Sequence, residues 1–119
     1  MFAFHHRIRP AVLAQIDASR RAEEQGDAAE AFRCLERAHV LGQPSTRLHI
    51  RVHWLMLRWA VRHRHGGEAA GQLLRIVGAA TKTALGWVPR GNTGGTAVGA
   101  FRRIPIPPDL QRQIDAAHR

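Results

Sequence analysis

The stretch that decides the fold runs from residue 27 to residue 53 and reads DAAEAFRCLERAHVLGQPSTRLHIRVH. Asp27 and Glu30 have capping-box spacing, with Asp27 in place of the usual Ser or Thr. Phe32, Leu35 and His39 then recur along one stripe of a helix. Gly42 suits the end of that helix, Pro44 prevents its continuation, and Thr46 suits the cap of the next one. The following helix, over residues 47–64, is apolar on most of its circumference, which predicts a buried central element. The link between the two is short, so they are expected to pack antiparallel.

Working outward, Pro10 suits the first turn of an earlier helix that ends at Gly26. On the other side Gly66 and Gly67 close the third helix, and residues 68–85 read as a fourth, with Leu73, Leu74, Ile76 and Val77 available for packing. Residues 86–108 hold five Gly and four Pro and read as a long irregular arm that wraps the core or serves a function. Asp109 opens a short last helix ending near His118. The predicted class is therefore all-α: two antiparallel helix–turn–helix pairs with a tetratricopeptide-like flavour, a Gly/Pro-rich C-terminal arm and a short final helix. All of it forms one domain over 1–119, with a helical core at 8–85 and the arm at 86–119. Gly26 to Ala31 is echoed by Gly66 to Gly71, but two units are too few for a repeat array, so shared hairpin physics explains the echo.

Composition narrows the class of function. Hydrophobic residues make up 45% of the chain, enough for a core without disulfides, and the single Cys34 permits no internal disulfide. The first residues lack the charged-then-apolar order of a secretory signal, and no apolar run approaches a membrane span. A cytoplasmic protein with no membrane partner is the expectation. The formal charge of +9 is uneven: residues 1–40 carry six Arg against six acids, whereas 41–119 carry twelve Arg or Lys against Glu68, Asp109 and Asp115. A solvated basic face outweighs nucleic-acid binding as the reading of that excess, and nucleic acid stays as a lesser alternative.

The residues that carry chemistry lie on the predicted hairpin. Glu36 and His39 share one face of the second helix, and His49 and His53 share one face of the third. His39 and His49 each stand three residues from the bend, which predicts two facing tiers, His39 with His49 and Glu36 with His53. Neutral imidazoles suit Zn, Cu, Fe or Ni, and a carboxylate adds charge. The leading reading is a metal-binding accessory or metal-handling protein. Its ligands are His39, His49 and His53, with Glu36 as fourth ligand or orienting group. A di-iron centre needs carboxylates that the third helix lacks. An open coordination position would make the protein a metalloenzyme, although no reaction is indicated. The competing reading is a satisfied buried polar network in a non-catalytic helical interaction module, with a protein partner or a second copy of the chain left open. Proton transfer by a His beside a Glu is a further alternative.

Other candidates carry less. Cys34 lies about 140° around the helix from His39, outside the cluster, and reads as a packed residue rather than a nucleophile. His5 and His6 read as an exposed end sooner than as extra ligands, and His63 and His65 as cations at a helix terminus. Gly91 to Gly95 resembles a phosphate cradle but lacks the lysine and strand–loop–helix context of a P-loop, so a turn or lid is preferred. Trp54, Trp59 and Trp87 read as core.

Leu35 to Gln43 and His49 to Leu57 carry a resemblance, continued by Gly71 to Arg75, Val88 to Gly95 and Phe101 to Pro108. On these segments the chain resembles an uncharacterised bacterial family, a domain of unknown function of about this length. The resemblance spans nearly the whole chain except the N-terminal helix, and its most specific block holds His39, His49 and His53. It implies a setting near heavy-metal or copper resistance genes, and a family pattern with His where this chain has Cys34. It brings no activity with it.

Overall fold

The computed structural model describes residues 2–69, 71–72, 75–76 and 105–119, and every regular element among them is helical. Those elements are α1 (Phe2–Glu24), α2 (Ala28–Gly42), α3 (Thr46–Arg62), α4 (helical residues at 66–69, 71–72 and 75–76) and α5 (Pro108–His118). The all-α class and the packing of helices in pairs agree with the sequence expectation. The remainder of the predicted fourth helix, Trp87, the Gly91–Gly95 cradle and arm residues 86–104 lie outside the described residues.

α1 begins at Phe2 rather than at Pro10, which sits inside it, exposed. A proline in a helix interior costs about 3 kcal/mol through its missing N–H and ring clash. Phe4, Ile8 and Val12, one turn apart, are all buried, and burial contributes about 1.5–3 kcal/mol for each such side chain. Packing therefore overrides the break.

The turn into α2 uses Gly26 at a φ of 77°, a left-handed conformation that favours glycine. Asp27 then caps α2, its Oδ1 accepting from the Glu30 backbone N–H at 3.0 Å. The reciprocal half of the box is absent, because Glu30 reaches instead toward Arg33 at 3.1 Å and toward Cys34.

At the bend into α3 the cap is Ser45 rather than Thr46, and its hydroxyl does not bond the helix backbone. It contacts His5 Nδ1 at 2.7 Å, tying the start of α1 to the bend. Gly42 permits close approach here: a Cβ on it would stand 3.0 Å from the Leu48 Cβ. At the far end of the pair Trp59 Nε1 donates to the Ala28 carbonyl at 2.9 Å. A contact from the end of α3 to the start of α2 makes the pair antiparallel, as expected.

Among the described residues the most buried element is α2, not α3. α2 packs against α1, α3 and α5 and buries Ala31, Cys34, Leu35 and the run Ala38 to Gly42. α3 buries one face only, through Leu48, His49, Val52, His53, Met56 and Ala60. Its opposite face is exposed, with Trp54 at 52% and Val61 at 65% accessibility beside Arg47, Arg51 and Arg58. The apolar count over 47–64 overstated burial because these arginines recur between the apolar residues of the outer stripe. α5 closes the core with Leu110, Ile114 and Ala117. An Arg37–Asp109 ion pair and a Phe4–His118 ring stack at 4.3 Å hold its two ends.

Candidate metal centre

His39 comes from α2, and His49 and His53 from successive turns of α3. All three are buried, at 2%, 3% and 2% accessibility. Their Nε2 atoms converge: His39 to His49 at 2.8 Å, His49 to His53 at 3.0 Å and His39 to His53 at 3.1 Å. The predicted tiers are thus one triangle. Side chains lean toward their own helix N-terminus. In an antiparallel pair His39 therefore leans away from the bend, while His49 and His53 lean toward it, so one imidazole meets both. Glu36 stands about one turn further from the bend on α2. It is half-buried and outside the group whose ligand atoms lie within 4.8 Å of one another.

Hydrogen bonds alone leave at least one edge of this triangle mismatched. Each Nε2 either carries a hydrogen or presents a lone pair. With three atoms and two states, two must be alike. At least one of the contacts then sets lone pair against lone pair, or hydrogen against hydrogen. A cation removes the conflict, because all three can present lone pairs to it. Bonds of 2.0–2.1 Å in a tetrahedral arrangement place nitrogens about 3.3 Å apart. The observed triangle is a few tenths of an ångström tighter, and small outward ring shifts accommodate an ion.

The electrostatics favour the ligating form. Burial pushes the His49 pKa down to about 3, with the neighbouring His53 adding to the shift. Burial also lowers the His53 pKa, helped by Arg75 and opposed by the Gln72 hydrogen bond and the Glu68 carboxylate. Both imidazoles are therefore neutral at physiological pH, which leaves lone pairs for a metal.

Two further residues reach this centre from α4. The Gln72 side chain, 0% accessible, places Oε1 2.5 Å from His53 Nδ1. Its Nε2 donates to Glu68 Oε2 at 2.6 Å. Sequence reasoning did not single them out; the only available signal was their i, i+4 spacing on the predicted fourth helix.

The other sequence candidates stay apart from the triangle. Cys34 is buried beside Glu30, which with desolvation raises its pKa, desolvation being the larger cause. A raised thiol pKa opposes a nucleophilic role. His5 is engaged with Ser45, and His6 is exposed. His63 contacts Glu23 at 2.7 Å, and His65 lies against the Trp59 ring. Among the described residues no helix is long and apolar enough to cross a membrane.

No curated protein and no solved structure matches the chain. A family model does match, over residues 6–114 of the 119, and includes all three converging histidines. The chain belongs to that family, described as Protein of unknown function (DUF3703).

Proposed function

We propose that the protein binds one transition-metal ion through the Nε2 atoms of His39, His49 and His53, and that metal handling is its role. The observation that carries this reading is the convergence of three buried imidazole nitrogens within 2.8–3.1 Å of one another, a triangle in which at least one edge pairs like with like. The donor set, three neutral imidazoles, suits Zn, Cu, Fe or Ni over the hard cations that prefer oxygen. Three protein ligands leave a tetrahedral ion one position for water or a transferred group.

The test is metal analysis of protein purified without an affinity tag, alongside His49→Ala and His53→Ala. The proposal expects one metal per chain in the parent and near none in either variant. The same metal content in all three would show that the ion, if any, sits elsewhere.

A further inference from the structure

The contact between α4 and His53 has a consequence for the chemistry of the centre. Glu68 offers oxygen acceptors, so the Gln72 amide turns its NH2 group toward it, as the 2.6 Å contact shows. That orientation leaves the Gln72 carbonyl facing His53 Nδ1 at 2.5 Å. A carbonyl accepts only, so His53 donates from Nδ1–H. A neutral imidazole carries one N–H, and with it on Nδ1 the Nε2 atom is a lone pair aimed into the triangle.

We propose that Gln72 is the positioning residue of the centre, fixing the tautomer and ring orientation of His53, and that Glu68 acts through Gln72 by fixing its amide. This rests on the metal reading for its functional meaning, but the tautomer it assigns is a property of the metal-free protein. The Gln72 side chain is wholly buried and spans α4 to α3, so it belongs to a built hydrogen-bonded chain rather than to a surface contact. Partners of this kind hold metal-bound histidines in place, and their loss typically costs 10–100-fold in affinity. An amide in this role, in place of a carboxylate, adds no negative charge next to the ligand. The ion therefore keeps more of its positive charge for whatever occupies its fourth position.

The experiment has two readouts on parent, Gln72→Leu, Gln72→Glu and Glu68→Gln. The first is the imidazole nitrogen spectrum of metal-free protein, which reports which ring nitrogen of His53 carries the hydrogen. The second is the zinc dissociation constant from chelator competition. His53 should carry its hydrogen on Nδ1 in the parent. Gln72→Leu should weaken zinc binding about 10–100-fold, Gln72→Glu should hold zinc better than Gln72→Leu, and Glu68→Gln should fall between Gln72→Leu and the parent. A merely structural role predicts the reverse order for the Gln72 pair, because leucine suits a sealed site better than a second carboxylate beside Glu68. Hydrogen on Nε2 of His53 in the parent overturns the proposal, as does equal zinc binding by parent and Gln72→Leu. If Gln72→Leu does not fold, the parent spectrum and Glu68→Gln still decide. A parent that shows the assigned tautomer but binds no zinc, nor any of the other transition ions, refutes the metal reading and leaves the tautomer assignment standing.

Discussion

The hydrocarbon core and the imidazole cluster embedded in it are equally sealed, yet burial acts on them in opposite senses. Ile8, Val12, Leu41, Val52 and Met56 are at most 1% accessible, and His39, His49 and His53 are at 2–3%. For the aliphatic side chains burial is the stabilising term. For the imidazoles burial is a cost, since it removes water from polar nitrogens and leaves them facing one another. Equal burial is therefore a gain in one region and a cost in the other. Leu41, Val52 and Met56 share α2 and α3 with the three histidines, so perturbing each region in turn separates the fold from the site.

Acid should produce the largest contrast. In metal-free protein the folded-state pKa of His49 lies near 3, below its ordinary 6.5, and that of His53 is also lowered. The unfolded chain then binds more protons below pH 6.5, so the contribution of the neutral pair is full above that value and lost as pH falls toward 3. Urea midpoints measured from neutral pH downward should fall steadily over that window. A flat profile would mean that the imidazoles are not desolvated in the folded state.

Truncation of the hydrocarbon side comes next. Leu41→Ala should destabilise the protein by about 2–5 kcal/mol without changing zinc bound per chain. Loss of zinc in a variant that remains folded would show that the two regions are not separable. On the imidazole side, free zinc at a hundredfold excess over its dissociation constant should stabilise the parent by about 2.7 kcal/mol. His39→Ala should abolish that gain in a thermal melt, and an undiminished gain would remove His39 from the site. The smallest effect is expected from Glu36→Gln, because Glu36 lies outside the group formed by the three histidines. Zinc affinity should stay at the parental value, and a tenfold drop would put that carboxylate on the ion.

Much of this contrast was legible in the amino-acid order. The hairpin followed from Asp27, Gly42 and Pro44, and the i, i+4 spacing of His49 and His53 placed both on the face opposite His39. Local signals of that kind act within one or two turns, and they held. What depended on direction or on distant partners did not follow. Two tiers were expected in place of one triangle because residue height was counted along the helix without the tilt of the side chains. Pro10 suggested a helix start, whereas packing of Phe4, Ile8 and Val12 continues α1 through it. Ser45, not Thr46, stands at the N-cap position of α3, and its hydroxyl contacts His5 in place of the helix backbone because the start of α1 arrives at the bend. Gln72 and Glu68 were invisible for the same reason: their meaning depends on where α4 docks, and nothing local in their spacing encodes that.

The most direct measurement is X-ray absorption of the zinc-loaded protein at the metal edge. The account predicts a first shell dominated by nitrogen at 2.0–2.1 Å, with the outer-shell scattering of three imidazole rings. A shell of oxygen ligands, or scattering from no more than one imidazole, would contradict the convergence of His39, His49 and His53 on a single ion.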